Sequence, residues 1–180
     1  MDKKYSNQSI THKKILINSI EPNFIFSKKP INRFINNKTN IEKINTNKVN
    51  QLKDLRKQLD SIQNCNLKDN SSRLILGDGN INSPIMIIGE SPGPEEEKSN
   101  KTFQGESGEL IEKMLMAINI QKNKVYSSYA INFKTPENRK PTSQEIKRYS
   151  FFLKDHISII NPKIIVLMGS SAMEAVTGIS

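Results

Sequence analysis

Cysteine, tryptophan and long apolar runs are what this 180-residue chain has least of. It holds one cysteine, Cys65, no tryptophan, and only 6% aromatic residues. A single thiol excludes a disulfide within the chain and a cysteine-rich metal site, and it suits a reducing compartment, the cytoplasm. No apolar run reaches the roughly 18 residues that a membrane-spanning helix needs. The opening MDKKYSNQS has positive charge but no apolar core after it, so a secretory signal is not expected.

Acid is scarce at one end. Residues 1–50 contain ten Asn and ten Lys or Arg against three acids, so this quarter carries +7 of the net +9. Its short apolar pieces, ILINSI and FIF, keep no period of 2 or 3.6. Such a segment buries too little to offset its ordering entropy, and residues 1–47 are expected to be a disordered basic tail. The charge suits nucleic-acid phosphates, and a Lys/Asn/Ile excess is equally a compositional habit of a genome; both readings stay open.

From residue 48 onward the pattern becomes that of a folded domain, with no internal repeat. Val49, Leu52, Leu55, Leu59 and Ile62 form a helical stripe, with Asn47 as its expected N-cap. A short strand is expected at 73–76 and a turn at Gly77–Gly79. PIMIIGE at 84–90 reads as a strand covered on both faces, as a parallel sheet requires. A helix is expected over about 107–118, with Leu110, Ile111, Met114, Leu115 and Ile118 sharing a face. After a strand at 124–132, Thr142 and Glu145 form a capping box that opens a helix with Ile146, Tyr149, Leu153 and Ile157 inward. PKIIVLMG at 162–169 reads as a second buried strand, and SSAMEAVTG starts another helix. This alternation predicts an α/β fold, three-layer α/β/α with a central mostly parallel sheet, whose last βα unit looks unfinished at Ser180.

Ligands of open α/β sheets bind beyond the carboxyl ends of the strands. Three loops fall there: GESPGPEEE at 89–97, NFKTPENRKPT at 132–142 and GSSA at 169–172. A nucleotide-binding domain using Gly77–Gly79 or Gly89–Gly93 for phosphate is the weakest reading, because neither G-x-x-x-x-G-K-[ST] nor G-x-G-x-x-G occurs.

The order IIGESPGPEEE, KTFQGESGELIEKML, VYSSYAINFKTPENRKPT and INPKIIVLMGSSA resembles the uracil-DNA glycosylase superfamily, especially its family 4 branch. The resemblance covers about residues 48–180. It implies a protein that flips uracil out of DNA and hydrolyses its N-glycosidic bond, acting as a monomer on uracil-containing DNA and away from membranes. By the same resemblance Phe103 stacks on the flipped base, and its plainer alternative is a core phenylalanine. Gly89, Ser91, Pro92 and Gly93 bring backbone N–H groups to the base and sugar, glycine permitting conformations closed to other residues. Glu90 is the catalytic carboxylate, which positions water or stabilises the oxocarbenium-like sugar, and otherwise a solvated loop acid. Glu95–Glu97 have no such place and read as solvated surface. Asn138 and Arg139 match the family's N-R pair, Arg139 serving as a DNA contact or as a loop-ordering residue. Gly169, Ser170 and Ser171 suit a phosphate or a turn.

Three departures follow from the comparison with that family. The family 4 iron-sulfur ligands fall at Ile62, Cys65, Phe133 and Tyr149, so only Cys65 remains, no cluster or other metal is expected, and apolar packing must replace it. The base-reading asparagine falls at Tyr129. Tyr129 and Asn132 are the base-side candidates there: Asn132 is three residues on, an odd offset that points to the opposite face of a strand, and it takes the asparagine's place only if the strand ends or bulges before it. The family's His-Pro-Ser motif does not occur in these 180 residues, and His12 and His156 do not stand in its place. The chain is therefore expected to be a fragment of weak or no activity, with a catalytically inactive nucleic-acid-binding module of the same fold as the alternative.

Overall fold

A computed structural model describes residues 36–179, with side chains from residue 45 onward. The expectation of a disordered tail falls, over residues 1–35, outside the described residues. From Asn36 the chain is helical to Asp60 (α1), so Asn47 lies inside a helix and does not cap it. The residues described below belong to the compact unit Asn40–Ser180. A short helix Asn66–Asp69 (α2) follows, then β1 (Gly77–Gly79), β2 (Ile85–Gly89), α3 (Pro94–Ser99) and α4 (Gly105–Ala117). β3 (Tyr126–Tyr129), α5 (Ser143–Ile160), β4 (Ile164–Leu167) and α6 (Ser170–Thr177) complete the order. No described helix is long and apolar enough to cross a membrane.

The sheet has the order β1-β3-β2-β4, with β1 antiparallel to β3 and the other pairs parallel. The α/β expectation with a mostly parallel sheet holds. Two local expectations do not. Residues 73–76 form no strand, whereas Gly77, Asp78 and Gly79, read as a turn, pair with Ser128, Ser127 and Tyr126. Pairing with a distant strand overrides the local turn preference of two glycines.

Strand alternation divides the core into two layers. Met86, Ile88 and Tyr126 point to one face, where they meet Leu55 and Leu59 of α1, Ile146, Tyr149 and Leu153 of α5, and Ala172 of α6. Ile87, Val125 and Tyr129 point to the other, toward Phe103 and the Ile111 and Leu115 of α4. β2 is buried on both faces, as its continuous apolar run required. β4 is an edge strand, and Ile164, Ile165 and Val166 are exposed, contrary to the expected burial. α4 buries only part of the expected shared face: Leu110, Met114 and Ile118 are 57%, 53% and 62% exposed. The expected capping box at Thr142 forms, the Glu145 N–H donating to Thr142 Oγ1 and the Thr142 N–H to Glu145 Oε2.

His156 lies on the inner face of α5 and is fully buried. Its Nε2 is 2.8 Å from the Tyr126 hydroxyl and its Nδ1 is 3.3 Å from Ser128 Oγ. Burial lowers its pKa to about 4, so the folded protein holds it neutral. An unfolded histidine takes up a proton near its ordinary value of 6.5, which the folded state refuses until about 4. The stability that depends on His156 is therefore complete above pH 6.5 and lost as pH falls toward 4, about 3 kcal/mol in all. Urea unfolding at pH 7.5 and 4.5 is expected to show this loss, and a His156→Gln variant is expected to flatten the dependence over that window.

Candidate active site

β2 and β3 run parallel and end together at Gly89 and Tyr129, so their following loops leave from one rim. The Ala130 N–H donates to the Gly89 carbonyl and the Ile131 N–H to the Glu90 carbonyl, at 2.8 and 3.1 Å. These bonds fix the start of GESPG against the segment after β3. A pocket of about 330 Å³ opens here, lined among others by Gly89, Glu90, Gly93, Glu96, Phe103 and Tyr129. Ser91, Ser107, Leu110, Ile111 and Met168 complete the lining.

Gly89 is required for space. A Cβ there would lie 2.8 Å from the Phe103 ring and 2.9 Å from the Tyr129 ring. The two rings thus close over bare backbone, their centroids 5.0 Å apart and tilted by 45°. Gly93 has φ −99°, open to any residue, so the conformational freedom expected of it is not what the loop uses. Its bare Cα instead leaves room for the Glu96 carboxylate, which a Cβ would approach to 2.8 Å.

Phe103 adopts φ 49°, a left-handed conformation that costs a non-glycine residue about 1–3 kcal/mol and persists only when its surroundings enforce it. Its N–H donates to the Tyr129 hydroxyl oxygen at 2.7 Å, and its carbonyl accepts from Lys122 Nζ at 2.7 Å. The same carbonyl sits 2.0 Å from where a Cβ of residue 108 would be, so only glycine fits at Gly108 in the first turns of α4.

Glu96, dismissed above as solvated surface, is buried at the pocket wall. Its Oε2 accepts the Gly93 N–H at 2.9 Å and its Oε1 accepts the Gln104 N–H at 2.8 Å. One carboxylate therefore ties the GESPG loop to the residue after Phe103. The signal for it was the helix start: with Gly93 as N-cap and Pro94 at the first helical position, Glu96 is the third residue of α3, whose side chain reaches back to the cap. Glu97 is also engaged, accepting from Ser71 Oγ and the Ser72 N–H at 2.7 and 2.8 Å; Glu95 alone of the three is exposed. Burial and the adjacent Glu96 carboxylate push the Tyr129 phenol up, so it stays protonated.

The remaining candidates divide. Glu90 is half-buried in the rim, and its Oε2 accepts from Ser171 Oγ at 2.6 Å. Ser171 is fully buried, while Ser170 is exposed and accepts from Lys140 Nζ at 2.9 Å. Pro92 is buried within its loop, and Gly169 takes φ 92° as the N-cap of α6. Asn132 does not reach the pocket: its buried amide donates to the Ile75 and Leu76 carbonyls at 3.0 and 3.2 Å. Asn138 is exposed in a turn with φ 55°. Arg139 makes a fork onto Glu145 at 2.9 and 2.7 Å, which holds that carboxyl well down, to about 2, and orders its own loop.

The iron-sulfur ligand set implied by resemblance does not fit the chain. Cys65 Sγ lies 2.9 Å from the Tyr149 hydroxyl, Phe133 meets Tyr149 edge-on at 6.1 Å, and Ile62 packs against the same core. A phenol, a phenyl ring and an alkyl chain offer no thiolate to iron. The Arg148 guanidinium also donates to the Asn64 and Gln63 carbonyls at 2.9 and 2.7 Å, closing this corner with protein groups. Among the described residues no group of three or more His, Cys, Asp or Glu could hold a metal ion.

Comparison with known proteins bears on the same stretch. A family model, the Uracil DNA glycosylase superfamily, matches residues 76–180. The Type-4 uracil-DNA glycosylase of Thermotoga maritima is 36% identical over 109 residues, 61% of this chain and 57% of that protein. That of Archaeoglobus fulgidus is 29% identical over 126 residues, 70% of this chain and 63% of that protein. A DNA polymerase of Bacillus phage SP01 is 30% identical over 112 residues, 62% of this chain and 12% of the polymerase. The match thus spans little more than half of the glycosylase relatives.

Truncating Glu96 leaves two pocket amides without an acceptor. Glu96→Ala is expected to cost about 2–4 kcal/mol in urea unfolding, and Glu95→Ala less than about 0.5. Equal effects would remove the distinction between the two acids.

Proposed function

The chain belongs to the uracil-DNA glycosylase superfamily, and from that premise we propose that its pocket receives a uracil flipped out of DNA and breaks its N-glycosidic bond. The observation that carries this reading is the convergence of the Phe103 ring and the Glu90 carboxylate on one pocket at the ends of two parallel strands. A flipped base loses its stacking, and an aromatic face returns about 1–3 kcal/mol of it. Phe103 is buried in the core beside Tyr129, its backbone bonded to Tyr129 and Lys122, and the part of its ring that lines the pocket supplies that face.

The C1′–N1 bond breaks with its electron pair leaving on the base. Positive charge develops on the sugar, where the Glu90 carboxylate stabilises it and accepts a proton from the attacking water. The water oxygen bonds to C1′, and the proton passes to the departing base, giving free uracil and an abasic sugar. Among the described residues, the Gly93, Phe103 and Gln104 N–H groups are bonded within the chain and are not offered to the base oxygens. His156 is enclosed beside Tyr126 and takes no part. A pocket lacking one such donor runs about 10²–10³ slower, so turnover is low. Asn138, Arg139 and Ser170 stand on the exposed rim and contact the DNA backbone, with Arg139 also ordering its loop. The protein acts without an iron-sulfur cluster, its place taken by Cys65, Phe133 and Tyr149.

Excision from a uracil-bearing single-stranded oligonucleotide tests the reaction. Glu90→Gln is expected to lower kcat by about 10²–10⁴, and Phe103→Ala to raise KM by about 5- to 150-fold. Binding of the oligonucleotide with the base left attached would favour the inactive binding module instead. Metal analysis is expected to find no iron in the purified protein, and a chelator to leave Tm unchanged; four irons per chain would refute the cluster-free reading.

A further inference from the structure

We propose that Ser171 is the positioning residue for Glu90, and that the first turn of α6 keeps this carboxylate in its working orientation. The inference rests on the reading that Glu90 acts at the sugar. Ser171 has no exposed surface, so its hydroxyl is not offered to a DNA phosphate, the role first considered for it. Its Oγ donates to Glu90 Oε2 at 2.6 Å, the short distance of a hydrogen bond to a charged acceptor. α6 begins at Ser170, so the carboxylate is bonded to the second residue of that helix, at the end where unpaired N–H groups favour negative charge.

The geometry separates the two oxygens of Glu90. Oε2 is fixed from within the protein, and no described protein group bonds Oε1, which is left to the water or the sugar. A carboxylate on a loop has rotamers that cost little to exchange, and a wrong rotamer removes it from the reacting carbon. The hydroxyl selects one of them. Gly169 enters α6 with φ 92°, which sets the direction from which the Ser171 side chain approaches. The Met168 N–H is bonded to the Ile88 carbonyl at 2.8 Å, so the start of α6 and the end of β2, which carries GESPG, share one anchored frame. On the solvent side of the same turn Ser170 accepts from Lys140, a residue of the N-R-x-P-T loop. One helical turn thereby joins the exposed rim to the half-buried carboxylate.

The test is single-turnover and steady-state uracil excision by the full chain, with Glu90→Gln, Ser171→Ala and the double variant. Removing a hydrogen bond to a charged group that matters only in the reacting geometry should lower kcat by about ten- to a hundredfold with KM within about twofold. In the Glu90→Gln background the same Ser171→Ala change should have no further effect on kcat, because there is no carboxylate left to orient. A hydroxyl that served only to pack the helix would lower both backgrounds alike. An inert wild-type chain, or a Glu90→Gln variant as active as wild type, overturns the glycosylase reading and this inference with it. A Glu90→Gln variant that loses activity beside a Ser171→Ala variant at full kcat, or losses that multiply in the double variant, overturns the positioning role alone.

Discussion

One buried carboxylate holds the two halves of the pocket together. Glu96 accepts the N–H of Gly93 with one oxygen and that of Gln104 with the other. The GESPG loop continues β2, and the Phe103 segment leads into α4; nothing in local chain geometry obliges them to meet. A carboxyl group with both oxygens occupied by backbone N–H groups fixes the two segments to each other and so defines the wall. The remaining features depend on it. Phe103 can stay in a left-handed conformation because its own N–H is taken by Tyr129, its carbonyl by Lys122, and the next residue's N–H by Glu96.

This arrangement uses amides for rigidity that might have served recognition. A site that reads a base edge with well-placed polar groups rejects wrong bases steeply, whereas a site built on stacking and shape discriminates less. With Tyr129 bonded to the Phe103 backbone and Asn132 turned toward Ile75 and Leu76, the proposed base pocket is of the second kind. Under the proposed function such rigidity has catalytic worth, because a preorganised ring and carboxylate would need no reordering on binding a base. The corner formed by Cys65, Phe133, Tyr149 and Arg148 follows the same economy, joining distant segments through side-chain packing and a guanidinium fork.

Much of this was legible in the sequence, and the exceptions have physical causes. The strand-helix alternation, the buried β2 and the Thr142 capping box depend on short-range periodicity and chemistry, which a sequence displays directly. GESPG, Phe103 and Tyr129 could be placed together because their spacing matched a family pattern. Glu96 was missed because three consecutive acids look alike until the helix start at Gly93 is known, and that start decides which of them turns inward. Gly77–Gly79 looked like a turn because pairing with β3 is a long-range event. β4 was expected to be buried because an apolar run reports what a strand could bury and says nothing of how many neighbours it has. Asn132, a candidate for the base provided the strand ended before it, is not in the pocket: β3 does end at Tyr129, yet the Ile75 and Leu76 carbonyls take its amide, a long-range contact that local spacing does not report.

The proposed function requires a base to be received between GESPG and Phe103. The most direct measurement is an amide chemical-shift map of the labelled chain, free and with a single-stranded oligonucleotide bearing one uracil. Differences are expected at the amides of Gly89, Glu90, Phe103 and Ser171. Differences confined to the separate groove beside Asp78, Lys101 and Asn123, with those four amides unmoved, would contradict the proposed function.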